Sequence, residues 1–183
     1  MKGLRALFFL WFSLPLLALS AEDFFKIDLD NDGREEKVVV SQEFDTFSGM
    51  PPLAREGRVI VYKSEGSKDG EFSVPDHIEK VEFVDLNKDG RRQILVWTLG
   101  GAHYRSIFIY GYRNNSLYKI FHGGSASGIR VNLDSEKPTI EIARPNWGKE
   151  NWSYASGEYL WEVYSWEGRG FVYNEALSST KRK

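Results

Sequence analysis

The residues best suited to chemistry are acidic, and they alternate along a short stretch near the start of the chain. Asp28, Asp30 and Asp32 occupy positions one, three and five of this stretch, and Gly33 and Glu36 occupy positions six and nine. Alternate carboxylates on a tightly turned loop point inward, and such oxygen ligands suit a hard cation such as Ca²⁺. The glycine supplies the backbone freedom that a sharp turn requires. Because a β-branched run follows at once, the stretch predicts a metal-binding turn that leads into a strand.

The same pattern recurs further along the chain. A second copy begins at Asp85 and a third, more divergent copy at Asn132, so successive copies start 57 and 47 positions apart. Periods near 50 residues are typical of propeller blades and similar arrays. An EF-hand would need a bidentate Glu at position twelve between two helices, whereas Val39 and Val96 stand there. The remaining alternative to a metal site is an ordinary hairpin turn, since Asp-Gly is itself a strong turn signal.

These loops, each followed by an apolar strand, resemble the FG-GAP/VCBS repeats of β-propellers. The resemblance implies that side chains at positions one, three, five and nine and the carbonyl at position seven hold Ca²⁺. In the first loop these are Asp28, Asp30, Asp32, Glu36 and the carbonyl of Arg34. In the second loop they are Asp85, Asn87, Asp89, Gln93 and the carbonyl of Arg91. The second loop has fewer carboxylates and is expected to bind more weakly or not at all. The third has Lys137 in place of the glycine and is expected to be empty.

The elements that must position these loops are strands. Several runs alternate with a period of two, and glycines and aromatic residues are abundant, as expected for strands joined by tight turns. The sequence therefore predicts an all-β fold of about three four-stranded antiparallel blade-like repeats, spanning 24–78, 79–124 and 125–176. Propellers usually have four to eight blades. Three repeats could close imperfectly into a small propeller, flatten into a sandwich-like array, or pair with a second copy as a homo-oligomer.

The two ends of the chain are expected to lie outside this domain. Residues 1–21 have a basic start, an apolar run of about a dozen residues and small residues at the end, as in a secretory signal peptide. That run is shorter than the roughly 20 residues that span a bilayer. Cleavage there predicts a periplasmic or secreted protein, and residues 177–183 are expected to form a disordered basic tail.

The charge of the predicted mature chain argues against a nucleic-acid partner. Removing Lys2 and Arg5 takes the formal charge from −2 to −4, and no basic stripe is present. The chain also contains no cysteine, so no disulfide framework supports it. A bound cation could supply part of the missing cross-linking, because a ligand that prefers the folded state stabilises it.

A partner surface is expected at the end of the sheets opposite the acidic loops, where the connections between second and third strands lie. These segments combine aromatic, amide and charged residues, which suit recognition of a peptide or a sugar. The candidate residues are His103, Tyr104, Arg105, Trp147, Trp152 and Tyr154. The alternative is that the aromatic residues cap the core.

Catalytic motifs are not found. The chain contains no Cys nucleophile, no P-loop, no G-x-S-x-G elbow and no H-E-x-x-H motif. The sequence therefore predicts a noncatalytic, calcium-stabilised module that binds a protein or carbohydrate partner. One alternative is a glycan-active lyase or hydrolase that uses His103 beside Tyr104 and Arg105. Another is a purely structural component of an envelope assembly.

Overall fold

The computed structural model describes residues 22–45, 53–101, 103–146 and 159–181, and within these ranges it contains strands and no helix. Sheet 1 comprises β1 (Glu22–Ile27), β2 (Glu36–Asp45), β3 (Leu53–Tyr62) and β4 (Lys68–Pro75). Sheet 2 comprises β5 (His77–Val84), β6 (Gln93–Gly100), β7 (Tyr104–Tyr112) and β8 (Leu117–Ser125). Sheet 3 comprises β9 (Ile129–Asn132), β10 (Thr139–Pro145), β11 (Tyr159–Trp166), β12 (Phe171–Tyr173) and β13 (Ser179–Lys181).

Each sheet is an antiparallel meander in which strands consecutive in sequence are neighbours in space. The prediction of an all-β fold with three four-stranded repeats is therefore confirmed. The first and second strands of each sheet are joined by the acidic loop or its divergent copy, so the connections between second and third strands lie at the other end. The predicted signal peptide, residues 1–21, lies outside the described residues.

The end of the chain differs from the expected disordered tail. β13 pairs with the Tyr159–Trp161 part of β11, and β12 pairs with the Tyr164–Trp166 part of the same strand. The two short strands therefore share the fourth position of sheet 3. A polar Ser-Thr-Lys segment can take this position because strand pairing satisfies backbone groups whatever the side chains are.

The three sheets are stacked in sequence order around two cores. One core lies between sheets 1 and 2 and includes Val38, Val59, Ile94 and Val96. The other lies between sheets 2 and 3; its buried members include Leu95, Ile107, Ile109, Phe121, Ile140, Ile142 and Trp166. Sheet 2 is thus buried on both faces, which explains why β6 has a continuous apolar run rather than alternation. Within the described ranges no sheet closes into a barrel, and the stack is consistent with blade-like repeats.

A buried glutamine fixes the passage from sheet 1 to sheet 2. Gln42 is 8 % exposed, its Oε1 accepts a hydrogen bond from the Ile78 amide at 2.8 Å, and its Nε2 donates to the Asp76 carbonyl at 3.3 Å. Asp76 adopts a positive φ of 69° at this corner. Within the described ranges, no helix is long and apolar enough to cross a membrane.

Candidate functional site

The first acidic loop folds around the carboxylate of Asp28. This carboxylate accepts hydrogen bonds from the amides of Asp32 at 3.2 Å and Gly33 at 2.9 Å, and Asp32 Oδ1 accepts one from the Arg34 amide at 2.8 Å. Asn31 and Gly33 have positive φ values of 62° and 85°. These are the conformations that glycine and asparagine tolerate best, so the local sequence favours this turn.

Three carboxylates of this loop converge. Oxygen atoms of Asp28, Asp30 and Glu36 lie within 4.8 Å of one another, which brings together three of the side chains predicted to bind metal. Glu36 is 5 % exposed, and its Oε2 accepts a hydrogen bond from the amide of Leu29 at 2.8 Å. Leu29 is fully buried in the first core and anchors the loop. Asp30 Oδ1 is buried and has no hydrogen-bond partner.

The electrostatics of the cluster are unfavourable without a counter-charge. Burial raises the pKa of Asp30, and the nearby carboxylates of Asp32 and Asp28 raise it further. Burial also raises the pKa of Glu36, and Asp30 and Asp32 add to this effect, against the opposing hydrogen bond from the Leu29 amide. Like charges in a partly buried site disfavour the ionised state unless a cation compensates them.

The cluster opens into a cavity of about 230 Å³ whose walls come from two sheets. Asp32 and Arg34 line this cavity beside Asp30 and Glu36, and Tyr112 of sheet 2 lies across from them. The Tyr112 hydroxyl donates a hydrogen bond to Asp69, whose carboxylate also lies 3.7 Å from Lys63 Nζ. Burial and the Asp69 carboxylate raise the pKa of Tyr112, so its hydroxyl stays protonated near neutral pH.

The ligand atoms that the first loop offers suit a hard cation. Every side-chain ligand it offers is a carboxylate oxygen, and one of these oxygens is buried without a hydrogen-bond donor. Oxygen-only sites with several carboxylates are typical of Ca²⁺. Within the described ranges, this is the one cluster of three or more acidic, histidine or cysteine side chains with metal-ligating spacing.

The second loop repeats the backbone of the first. The Asp85 carboxylate accepts hydrogen bonds from the amides of Asp89 at 3.2 Å and Gly90 at 2.7 Å, and Asp89 Oδ1 accepts one from the Arg91 amide at 3.0 Å. Positive φ values recur at the same two positions, 57° at Lys88 and 86° at Gly90.

The side chains of the second loop have different partners. Asn87 Oδ1 accepts a hydrogen bond from the indole nitrogen of Trp166 at 2.9 Å. Gln93 is 5 % exposed, its Oε1 accepts from the Leu86 amide at 2.9 Å, and its Nε2 donates to the Arg91 carbonyl at 3.4 Å. Asn87 and Gln93 thus make protein hydrogen bonds in addition to those of Asp85 and Asp89, and the bond from Gln93 Nε2 takes up the carbonyl of Arg91, itself a predicted ligand.

The third copy forms a different turn. Its Ser135 hydroxyl donates a hydrogen bond to the Lys137 carbonyl at 2.6 Å. None of the positive φ values of the described residues falls between 133 and 138. The turn therefore lacks the backbone conformation that the first two loops share.

A groove of about 870 Å³ lies at the opposite end, between sheets 2 and 3. It is lined by Glu79, Lys80, Glu82, Trp97, Leu99, His103, Arg105, Ser125, Ala126, Ser127, Gly128 and Ile129. Its charged side chains are paired: Arg105 with Glu79 at 2.8 Å, and Lys80 with Glu82 at 2.7 Å. The Trp97 indole donates to Glu82 at 2.9 Å.

The groove is bordered by strands of different length. Within the described residues, β5 has eight residues and β9 has four, and both contribute to the lining. The composition of this face of sheet 2 changes along the strands, since Leu95 is buried in the second core whereas Lys80 and Trp97, which pair across β5 and β6, line the groove. A charged residue at an alternating position of β5 was the sequence signal for it.

The predicted partner residues are divided by the structure. His103 and Arg105 line the groove. Tyr104 belongs to the other face of β7, because alternate residues of a strand point to opposite sides, and its hydroxyl lies near Gly124. The side chains of His103, Tyr104 and Arg105 therefore do not converge on one point. Trp147, Trp152 and Tyr154 lie outside the described residues, so their part in a partner surface stays a prediction.

Comparisons with known proteins give a distant structural similarity. No protein-family model matches the chain, and no curated protein matches it. Among solved structures, the chain is similar to PliI-Ah, the periplasmic lysozyme inhibitor of I-type lysozyme from Aeromonas hydrophyla, with 18 % identity and a TM-score of 0.43. The similarity covers 56 % of this chain and 88 % of that protein. At this distance, nothing about the function of the chain is inferred from it.

Proposed function

We propose that the chain is an exported, noncatalytic repeat module of FG-GAP/VCBS type, stabilised by one Ca²⁺ in the first acidic loop. The observation that carries the proposal is the convergence of Asp28, Asp30 and Glu36 around an Asp30 oxygen that is buried without a donor. A buried carboxylate oxygen without a partner is costly. A divalent cation would remove that cost and offset the mutual repulsion of the cluster.

Each residue of the first loop has a distinct part in this proposal. Asp28, Asp30, Asp32 and Glu36 would supply carboxylate oxygens, and Arg34 its main-chain carbonyl. Asp28 also holds the turn through two backbone amides, and Glu36 holds Leu29 in the core. The cation would supply charge neutralisation, while the loop connects it to the first strand pair. The role is therefore structural and needs no reaction.

Calcium titration of the mature chain, residues 22–183, tests this proposal. We expect calorimetry to give saturable binding and Ca²⁺ to raise the melting temperature, because a ligand that binds only the folded state stabilises it. Asp30→Ala should remove both effects. Asp134→Ala is the matched control, since this exposed residue holds the same position in the third copy. An unchanged calcium response in Asp30→Ala would refute the site.

We further propose that the groove between sheets 2 and 3 binds an uncharged carbohydrate. Its acidic and basic side chains form pairs within the groove, so it presents fixed hydrogen-bonding groups without net charge. Trp97 is half-buried and its indole is held by Glu82, which provides a rigid aromatic surface. An aromatic surface beside paired polar groups suits a ring that has one apolar face and several hydroxyl groups.

A glycan array that contains neutral and acidic oligosaccharides tests the groove. Arg105→Ala should weaken the binding of neutral glycans, because it removes one groove side chain and releases Glu79. Arg58→Ala is the control, as Arg58 forms a comparable exposed ion pair with Glu43 at 3.3 Å on sheet 1. Equal binding by both variants, or binding of acidic glycans only, would contradict the assignment. Capture of a protein instead of any glycan would favour a protein partner.

The separation of His103, Tyr104 and Arg105 in the structure supports a noncatalytic role. Arg105 is paired with Glu79, Tyr104 lies on the other face of β7, and His103 is exposed on the turn before them. Acid–base catalysis requires groups that reach the same substrate atoms. If the array identifies a glycan, wild type should leave it uncleaved, and a cleavage activity that His103→Ala abolishes would restore the enzyme alternative.

A further inference from the structure

We infer that the second acidic loop is an ion-independent copy of the first, and that residue 93 makes the largest contribution to this difference. The inference rests on the proposed calcium site in the first loop and concerns the side chain at position nine. Glu36 in the first loop leaves a place for a cation, whereas Gln93 in the second replaces the cation with a hydrogen bond.

The backbone does not account for the difference between the loops. In both loops the first Asp accepts bonds from the amides at positions five and six, and the Asp at position five accepts one from the amide at position seven. The φ values at positions four and six also agree. Two turns with the same backbone offer the same main-chain carbonyl, so the side chains must decide whether an ion is needed.

The side chain at position nine accepts a hydrogen bond in both loops, but only in the second loop does it also donate one. Glu36 and Gln93 each accept a hydrogen bond from the buried amide at position two, at 2.8 and 2.9 Å. Only glutamine can also donate, because an ionised carboxylate has acceptors alone. Gln93 Nε2 donates to the carbonyl of Arg91, which occupies the position of the main-chain ligand. The amide group therefore satisfies a carbonyl that would otherwise face a cation.

The side chain at position three also differs between the loops, and here too the oxygen in the second loop already has a protein hydrogen-bond donor. Asp30 leaves one oxygen buried without a donor, whereas Asn87 Oδ1 accepts a bond from the Trp166 indole of sheet 3. The second loop also has only two carboxylates, Asp85 and Asp89. It therefore has less negative charge to neutralise and fewer uncommitted oxygens.

The second loop instead connects the sheets directly. The Arg92 amide donates to the Leu29 carbonyl of the first loop at 2.9 Å, and Asn31 Nδ2 donates to the Asp89 carbonyl at 3.2 Å. On its other side, Asn87 receives the Trp166 indole. One loop thus links sheets 1, 2 and 3 by hydrogen bonds that need no ion.

Exchanging the residues at position nine tests the inference. Wild type, Glu36→Gln, Gln93→Glu and the double exchange are compared by calorimetry and native mass spectrometry with Ca²⁺. We expect one ion for wild type, none for Glu36→Gln, two for Gln93→Glu, and one for the double exchange. Two ions in wild type, or no gained ion in Gln93→Glu, would overturn the inference.

Melting in calcium-free buffer separates this inference from the proposed function. Gln93→Glu should lower the melting temperature there, because it removes the bond to Arg91 and adds a third carboxylate, and Glu36→Gln should not lower it. An unchanged melting temperature for Gln93→Glu would count against the inference. If wild type binds no calcium but this difference appears, the proposed calcium site fails while the hydrogen-bonded second loop is supported.

Discussion

One oxygen of Asp30 is buried without a hydrogen-bond donor beside two other carboxylates. Its pKa is raised above the ordinary value of 3.8, so ionisation costs more in the folded chain than in the unfolded chain. The contribution of the Asp30 side chain to the free energy of unfolding is therefore fully present below pH 3.8 and is lost as the pH rises through the raised pKa. Calcium bound at the proposed site would reverse this dependence, because the ligands must be deprotonated to bind it.

We therefore predict opposite effects of Asp30→Asn in the two conditions. In calcium-free buffer at pH 7 the variant should be more stable than wild type, by less than about 1 kcal/mol because the site is partly solvated. The difference should vanish below pH 3.8. With calcium at pH 7 the wild type should be the more stable protein. Thermal melting across this pH range checks the result, and a variant that is less stable in every condition would contradict it.

The glycines at position six give a matched pair of substitutions. Gly33 and Gly90 have nearly equal positive φ values of 85° and 86°, so alanine should cost each loop about 1–2 kcal/mol of backbone strain. A Cβ on Gly33 would meet no atom within 4 Å, whereas one on Gly90 would lie 2.4 Å from Asn31 Nδ2. Gly90→Ala should therefore cost more than Gly33→Ala in calcium-free buffer. Equal losses in chemical denaturation would show that the contact between the loops contributes little.

The acidic pattern could be predicted at this scale because it is local. Spacing, glycine and the strand that follows all lie within a dozen residues, and the same hydrogen bonds form in both loops. The partner of Asn87 could not be predicted, since Trp166 lies 79 positions away in sequence. The sequence could therefore identify the loops but not which of their oxygens already have protein donors.

At the level of elements, Gln42 joins β2 to the corner before β5. Gln42→Ala should cost about 1–3 kcal/mol, because it leaves the buried Ile78 amide without its acceptor. Lys68→Ala is the control, since its ion pair with Glu71 is exposed and should contribute about 0–1 kcal/mol. Chemical denaturation measures both changes, and amide exchange at Ile78 locates the effect. Equal losses in the two variants would argue against this corner connection.

The sequence predicted strands where the pattern of apolar and polar side chains determines strand formation. β11 alternates and β6 is continuously apolar, and each pattern matches its burial on one or two faces. β13 was not predicted from the sequence, because its three residues are polar and its position is set by backbone pairing with β11. The surface at this end was predicted through His103 and Arg105, which line the groove, but the contributions of β5, β6 and β9 were not, because they depend on how two sheets pack.

For the whole molecule, the decisive feature is that sheet 2 contributes to both cores. Ile94 and Leu95 are adjacent residues of β6 that are buried in the first and second core respectively. Each substitution by alanine should cost about 2–5 kcal/mol, and both should lower the same melting transition. Ile60→Ala, at a half-buried position of sheet 1, is the control and should cost less. Two separate transitions, each sensitive to one variant, would contradict a shared middle layer.

The stacking order could not be derived from repeat length. Periods near 50 residues suggest blades, but three copies admit several arrangements, and all of them bury at least one face of each sheet. The continuous apolar composition of β6 indicates that the middle sheet has a neighbour on both sides. That signal was present in the sequence, although apolar runs of this length are also compatible with other packings.

The four-residue length of β9 has a consequence for how recognition could diversify on this scaffold. Extending this edge strand by two residues would shorten the groove, whereas trimming it would enlarge the groove and remove contacts of Ile129 or Val131 with the second core. The size of a ligand in the proposed site would then vary with the length of β9, while the end that carries the acidic loops keeps its geometry. In such an arrangement, close relatives would differ in what they hold far more than in how firmly they fold.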